Sequence, residues 1–379
     1  MLFFPMLLGY YTLFYQICLT KHKKRGRIGV NIFEALEWTQ WKNLSLELKT
    51  QVMNQVLKYF VSPLKKISNV IYQQFELDGV KCGTFECSID GERFVLVPGN
   101  QAAILGWQSG IQGISRHLWD QTPLHENETY RKIQKNYELK TTEDWDIFIN
   151  ESTTPLRKKS IAPMLVQKSA QPVGTTYIGD VNMITGEFSG SLEDFMPIKE
   201  TFFSYFKQPQ TFEESLSVTV PQEIFEEDKF YALLVEAEEK YTVYTHEICH
   251  QRRLQEKTEE ELFDLLTEDQ WEYAVSGATR KLFRWGNDLI EDDSYYGKQA
   301  AQKIQQPNMF GLYCPNNLSY WELTDSMYLK TEKAEKVGHP LFDHLPLASY
   351  YRSRKILAPY ELMSPYDFRF RKAIIIQNS

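Results

Sequence analysis

The sequence predicts an α+β fold, in which a small helical leader precedes a larger domain of short strands and irregular chain. Apolar residues first recur every four positions, at Leu48, Val52, Val56 and Phe60, which is the period of an amphipathic helix. Beyond residue 80 the period changes to two, as in strands. With 379 residues, 42% of them hydrophobic, the chain can bury a sizeable core.

The leader is assigned to residues 21–80. Met53, Leu57 and Val61 widen the apolar stripe of its first helix, and Pro63 should end that helix. A second helical pattern follows directly and is made of Leu64, Ile67, Val70 and Ile71. The leader is therefore expected to be helical throughout and to pack on the main domain.

The main domain is assigned to residues 81–379 and opens with a predicted β-hairpin. Phe85, Cys87 and Ile89 alternate with polar neighbours, Asp90-Gly91 supplies a type I′ turn, and "RFVLVPG" returns. Farther along, residues 222–265 form the longest charged stretch, and its spacing predicts helix with a solvated face. After Glu272 the chain is rich in aromatic residues, Gly and Pro, which predicts irregular structure.

Charge and cysteine usage narrow the partners and the compartment. The formal net charge is -8, and one basic run, "KHKKRGR" at residues 21–27, is too local for a nucleic-acid footprint. The cysteines are few, odd in number and widely spaced, with no CxxC pair: Cys18, Cys82, Cys87, Cys249 and Cys314. The cysteine usage favours the cytoplasm and structural thiols. The charge argues against a nucleic-acid partner.

The first twenty residues, "MLFFPMLLGYYTLFYQICLT", contain no charged side chain and are followed by basic ones. Their length is near the minimum for a membrane span, and the basic run would place the body of the chain in the cytoplasm. Pro5, Gly9 and three tyrosines weaken a span. Residues 1–20 are therefore a candidate membrane anchor, with a buried apolar arm or a start codon read too far upstream as the alternatives.

Four ordered elements point to a known family. "LLTEDQWEYAVSG" (265–277), "FRWGN" (283–287), "PNMFGLY" (307–313) and "YWELTD" (320–325) follow one another in the chain. In order and approximate spacing they resemble the signature of the formylglycine-generating enzyme (sulfatase-modifying factor) superfamily. "GERFVLVPGN" (91–100) is similar to the strand that opens that family's domain, and "SPYDFRFRKAIII" (364–376) to its closing strands.

The resemblance implies a variant of the C-type lectin fold, with much irregular chain around small twisted antiparallel sheets. Large indoles suit such a fold, because they bury wide areas where strand pairing is sparse. Glycines suit its tight turns. Most of the motif residues are therefore expected to hold the fold rather than to carry chemistry: Trp271, Glu272, Tyr273, Trp285, Gly286, Asn308, Phe310, Gly311, Trp321 and Glu322.

The catalytic groups of the family are not all present. Its formylglycine-forming members bind copper(I) with a cysteine pair near the C-terminus, and soft thiolates suit that ion. Here no cysteine follows Cys314. The family's calcium site is also altered, since "CPNNLSY" follows Gly-Leu-Tyr, although Glu322 remains as a candidate calcium ligand with Asn316 or Asn317. Calcium is therefore a candidate cofactor, although the sequence does not supply the family's full ligand set.

A second metal motif is "HEICH", residues 246–250, which matches the H-E-x-x-H pattern of zinc hydrolases. On a helix, His246 and His250 would lie one turn apart, with Glu247 as general base and Glu268 or Glu272 as a third ligand. The next residues, "QRRLQEK", are charged where an active-site helix would be apolar. A solvated helix with two neighbouring histidines is the competing interpretation.

The favoured hypothesis is a non-catalytic formylglycine-generating-enzyme-like domain that binds a protein, a peptide or a small ligand. This step from fold to function is an analogy. Candidate contact residues, with ordinary packing as their alternative role, are Tyr320, Tyr350, Tyr351, Arg352 and Arg354. The alternative is a metal-dependent enzyme, either an oxidase of the family with an atypical site or a zinc hydrolase at "HEICH".

Overall fold

The computed structural model describes residues 31–206, 220–286 and 295–377, and these form an α+β protein built on several sheets. The candidate anchor at residues 1–20 lies outside the described residues. No helix within the described ranges is long and apolar enough to cross a membrane.

The helices are α1 (Ile32–Ala35), α2 (Trp38–Trp41), α3 (Leu46–Tyr59), α4 (Arg116–Trp119), α5 (Glu128–Tyr137), α6 (Thr142–Glu151), α7 (Leu192–Phe195), α8 (Lys199–Ser204), α9 (Gln251–Glu260), α10 (Glu268–Ser276), α11 (Tyr295–Gln305) and α12 (Pro340–His344).

The strands are β1 (Ile67–Leu77), β2 (Val80–Ile89), β3 (Glu92–Val97), β4 (Asn100–Leu105), β5 (Arg157–Ile161), β6 (Met164–Gln167), β7 (Gln171–Pro172), β8 (Thr175–Asn182), β9 (Phe188–Gly190), β10 (Glu223–Glu226), β11 (Phe230–Val235), β12 (Lys240–His246), β13 (Asp264–Leu265), β14 (Trp321–Glu322), β15 (Phe368–Phe370) and β16 (Lys372–Ile375).

Two of the sheets carry most of the strands. The larger has the order β1-β2-β3-β6-β16-β13, so strands from both ends of the described chain lie in it. The five-stranded sheet has the order β10-β11-β12-β8-β9 and uses only residues 175–246. Strands β14-β15-β7 and β4-β5 form smaller sheets. Each named pair is antiparallel except β14 with β15.

The predicted hairpin is confirmed. Ile89 pairs with Glu92 across Asp90 and Gly91, whose φ angles of 51° and 90° are those of a type I′ turn. The helix predicted from the four-residue period is also present as α3. Ser45 accepts a hydrogen bond from the backbone N–H of Leu48 and caps that helix, which ends before Pro63.

The prediction of a second helix in the leader is wrong, because the chain there forms a strand. Ile67, Val70 and Ile71 lie in β1, which pairs with β2 in the six-stranded sheet. A second Asp-Gly turn, Asp78-Gly79, closes this hairpin, and a bulge after Ser68 interrupts its register. Because Val70 and Ile71 are half exposed, they do not form the buried face that a packed helix requires.

The prediction of a helix over residues 222–265 is wrong for most of that segment. The chain there runs through β10, β11 and β12, and only α9 is helical. Burial alternates along β12, where Tyr241 and Val243 point into a core and their neighbours do not. The carboxylates gather instead at the turn between β11 and β12, at residues 236–239. The solvated helix face predicted for "EKTEEELF" starts within α9.

The five-stranded sheet has its own hydrophobic core. Helices α7 and α8 cover one face of it, where Phe195 and Phe202 pack against Phe230 and Tyr241. A larger core joins the six-stranded sheet to α3, α6 and α10, and a third lies beside β15. The molecule therefore carries a small sheet-and-helix unit at residues 175–246 beside a larger body.

Candidate functional site

The first family-like element forms the centre of the larger body. Thr267 and Gln270 make a reciprocal capping box at the start of α10, and Gly277 ends the helix with a φ of 61°. Trp271, Glu272 and Tyr273 lie between these caps and are all buried. The hydroxyl of Tyr273 donates to the carbonyl of Pro98, so α10 is held against the strand region that opens the domain.

Glu272 is the centre of a buried ion cluster. Its carboxylate accepts hydrogen bonds from Thr154 Oγ1 at 2.8 Å, Lys330 Nζ at 2.9 Å and Arg157 Nη2 at 2.9 Å. Glu272 and Lys330 are both fully buried. Charges removed from water this completely are tolerated only when they are paired and hydrogen-bonded. Glu272 therefore ties three distant segments together.

Glu268, the other candidate third zinc ligand, joins the same cluster. It pairs with Arg352 and accepts a hydrogen bond from Lys330 at 3.3 Å. Burial by itself raises the pKa of the Glu268 carboxyl, but the hydrogen bond and charge of Arg352 and the charge of Lys330 outweigh it and lower that pKa. Arg352, predicted to be a contact residue, thus neutralises an internal carboxylate.

Glu322, the candidate calcium ligand, is engaged by the protein itself. Its Oε1 accepts from the Trp271 indole at 2.8 Å and from Arg371 Nε at 2.6 Å. Asn316 bonds to Gln305, and Asn317 accepts from Ser319. Glu322 Oε2 is buried without a hydrogen-bond partner among the described residues. A guanidinium thus occupies one side of this carboxylate.

The remaining motif residues make turns and packing contacts. Asn308 donates to the carbonyls of Ala274 and Val275 and accepts from the N–H groups of Phe310 and Leu312. Gly311 has a φ of 89°, and a Cβ built there would lie 2.5 Å from the ring of Phe75. Trp285 stacks on Phe283, and Gly286 also has a positive φ of 97°. These contacts hold the fold together.

The helical spacing expected for "HEICH" is wrong. His246 is the last residue of β12, and His250 is the N-cap of α9, accepting from the N–H of Arg253. His246 Nδ1 accepts from the N–H of Asp228, while Glu247 pairs with Arg253. Burial lowers the pKa of His246. Within the described ranges, no group of three or more His, Cys, Asp or Glu side chains is placed to hold a metal ion.

A cavity of about 820 Å³ lies in the larger body. Its wall is formed by side chains from segments that are far apart in sequence: some of those within residues 127–133, 148–152, 318–321, 332–337, 342–346, 351–354 and residue 367. Its aromatic lining is made of Tyr130, Phe148, Trp321, Phe342 and Tyr351. This volume is in the range of small-molecule and peptide side-chain sites.

Two of the five predicted contact residues, Tyr351 and Arg354, line this cavity. The other three do not. Tyr350 is fully buried and donates to the carbonyl of Thr279, and Tyr320 is buried beneath the guanidinium of Arg369. Arg352 belongs to the Glu268 ion pair.

Glu332, which the sequence did not single out, organises one wall of the cavity. Its carboxylate accepts from Trp321 Nε1 at 2.8 Å, Tyr351 OH at 2.9 Å and Ser353 Oγ at 2.8 Å. Burial, with the adjacent Glu332 charge, raises the pKa of Tyr351 well above its usual value. The phenol therefore stays a donor to Glu332, and the two aromatic side chains are held in fixed orientations.

Arg354 lies on another part of the wall. Its guanidinium stands over the rings of Tyr137, at 5.4 Å, and Phe148, at 5.5 Å. The side chain is exposed. In the described ranges of the chain no carboxylate forms an ion pair with it. Aromatic faces hold a guanidinium without using its N–H donors, so these remain available.

The fold and the cavity define the class: an α+β protein with a ligand-sized, aromatic-lined cavity and a second sheet unit beside it. Residues 176–245 match the family model of a profilin-like domain of unknown function. The match covers the five-stranded sheet from β8 to β12 with its two helices. No curated protein matches the chain.

Proposed function

We propose that this chain is a non-catalytic relative of the formylglycine-generating enzymes that binds a protein, peptide or small ligand in the 820 Å³ cavity. The proposal depends mainly on which part of the chain supplies the residues that line the cavity. The segment in which the resemblance would place the copper-binding cysteines supplies Pro346, Tyr351, Arg354 and Asp367 to that wall. In this proposal the cavity lies where the resemblance would place the copper site, and it is lined by residues other than cysteine.

The contacts of the motif residues support the relationship. Trp271 from the first element donates to Glu322 from the last one, and Glu322 also meets Arg371 beside the closing strand β16. Elements that the resemblance groups by order in the chain thus meet in one buried cluster. This is the behaviour expected of a shared scaffold, in which sparse strand pairing is compensated by large side chains and internal ion pairs.

The lining supports binding rather than turnover. The aromatic side chains supply apolar surface, and Glu332 fixes two of them through hydrogen bonds. Preorganised walls reduce the conformational entropy lost when a ligand binds. The described cysteines, Cys82, Cys87, Cys249 and Cys314, are all free and buried, and this supports the part of the proposal that assigns the protein to the reducing cytoplasm.

Binding in the cavity is tested with N-phenyl-1-naphthylamine, a neutral aromatic probe that fluoresces in apolar sites. We expect one probe per chain. Ala334→Trp puts an indole into the cavity and should abolish the signal, because Ala334 lines it. Ala102→Trp adds the same indole to an exposed position of β4 and is the matched control. Equal binding by both variants would place the probe elsewhere and overturn the proposal.

A second assay addresses the enzymatic alternative. The protein is incubated with copper(I), oxygen and a synthetic cysteine-bearing peptide, and the peptide is analysed by mass spectrometry. No formylglycine is expected, because no cysteine follows Cys314 to hold the copper ion. Conversion of the cysteine in a copper-dependent reaction would show that the chain is an oxidase with an atypical site.

A further inference from the structure

The charged side chains around the cavity differ in what they already bind. Glu332 accepts three hydrogen bonds from neutral donors. Asp343 accepts from the backbone N–H groups of Val337 and Gly338. Asp367 pairs with Lys333, and Glu128 pairs with Lys132. These four carboxylates are therefore engaged by the protein, whereas Glu335, the fifth carboxylate of the lining, is exposed.

Arg354 is the contrasting case. It lines the cavity with its guanidinium over two aromatic rings, and in the described part of the chain none of its N–H groups meets an acceptor. A guanidinium presents its donors in a planar fork that matches the two oxygens of a carboxylate or a phosphate. The rings of Tyr137 and Phe148 limit the rotamers of Arg354, which prepares it for such a partner.

We propose that the cavity selects ligands with an apolar or aromatic body and a carboxylate, and that Arg354 is the residue that recognises the carboxylate. This inference rests on the proposed function, since it names the chemistry of the ligand at the same site. The aromatic lining contacts the body of the ligand, and the guanidinium fork binds its charged end. A phosphate has similar oxygen geometry and is distinguished by the experiment.

The test compares two probes that differ in one charged group: N-phenyl-1-naphthylamine, which is neutral, and 8-anilinonaphthalene-1-sulfonate, which carries an anion. For the unaltered protein we expect the anionic probe to bind at least about tenfold more tightly, as charge-assisted hydrogen bonds allow. Arg354→Gln should remove this preference and leave binding of the neutral probe within about twofold. Arg354→Lys keeps the positive charge but loses the planar pair of N–H donors, so it should retain only part of the preference for the anionic probe.

Glu335→Gln is the electrostatic control, because Glu335 also lines the cavity and its neutralisation changes the net charge by the same amount as Arg354→Gln, but in the opposite direction. If this variant alters the preference as strongly as Arg354→Gln, the preference reflects overall charge and the role of Arg354 is refuted. An anionic preference that survives Arg354→Gln refutes it as well. Absence of binding by the neutral probe would instead count against the proposed function itself.

Competition then identifies the anion. N-acetylphenylalanine, its uncharged amide and phenyl phosphate are each used to displace the bound sulfonate probe. Displacement by the carboxylate at least about tenfold better than by the amide supports the proposal, provided that Arg354→Gln abolishes the difference. Stronger displacement by phenyl phosphate than by the carboxylate would contradict the assignment of a carboxylate and identify a phosphate site.

Discussion

The buried pair of Lys330 and Glu272 gives the sharpest stability prediction. Lys330→Met keeps the length and apolar stem of the side chain but removes the ammonium group that donates to Glu272 at 2.9 Å. Both residues are fully buried, so water cannot replace the lost donor. Breaking a buried ion pair from one side costs about 3–5 kcal/mol. We expect the lower end, because Arg157 and Thr154 still contact the carboxylate.

The expected shift in melting temperature follows from the size of the chain. For 379 residues, an unfolding entropy of about 2.1 cal/mol/K per residue gives about 0.8 kcal/mol/K in total. A loss of about 3 kcal/mol therefore lowers Tm by about 4 °C. The measurement is differential scanning calorimetry of the unaltered protein and the variant under the same conditions.

The matched control is Lys333→Met. Lys333 pairs with Asp367 at the surface, where its side chain is 45% exposed, so the same change of side chain should lower Tm by no more than about 1 °C. If Lys330→Met were no more destabilising than Lys333→Met, the ion cluster would contribute little and the reasoning from burial would be refuted.

Two other predictions concern acid sensitivity and backbone strain. Burial lowers the pKa of His246 and of His339, so the unfolded chain takes up protons near pH 6.5 when the folded chain does not. Stability is therefore lost as pH falls below that value. His339→Gln removes one of these groups, so the fall in Tm between pH 7.5 and 5.5 should be smaller for the variant than for the unaltered protein. An equal fall in Tm for both proteins would contradict this prediction. Gly311→Ala should destabilise the protein by about 2–4 kcal/mol, because it combines a positive φ with a 2.5 Å approach to the ring of Phe75. Gly186→Ala, also at positive φ but with its nearest neighbour at 3.9 Å, should cost only about 1 kcal/mol. Urea titration of both variants measures the two losses, and equal losses would contradict a cost from the contact with Phe75.

The parts of the fold that the sequence predicted depend on residues close together in the chain. The hairpin at Asp90-Gly91 was predictable because a two-residue turn with two positive φ angles requires those residue types. Helix α3 was predictable because its buried side chains repeat with the helical period and Pro63 follows it. In both cases the signal lies within the element itself or within the few residues that follow it.

The errors came from segments whose structure is decided by distant partners. Residues 223–246 carry many charges, yet they form strands because β12 pairs with β8, some 60 positions earlier in the chain. Once β12 is extended up to His246, the expected helical turn between His246 and His250 cannot form. Charge spacing alone could not reveal this, since a polar residue suits the exposed side of a helix and of a strand equally.

The cavity shows what only the tertiary structure decides. The sequence by itself determined the α+β class, the hairpin, helix α3 and the absence of cysteines after Cys314. It also marked Tyr351 and Arg354 as contact residues, but not Glu332, which holds Trp321 and Tyr351. Segments near residues 127 and 335 meet at the cavity, where Asn127 Nδ2 donates to the carbonyl of Glu335 across 208 positions and the N–H of His125 donates to the carbonyl of Val337. Local conformational preferences do not determine contacts between such distant segments. These contacts follow from the packing of whole helices and strands around a shared core.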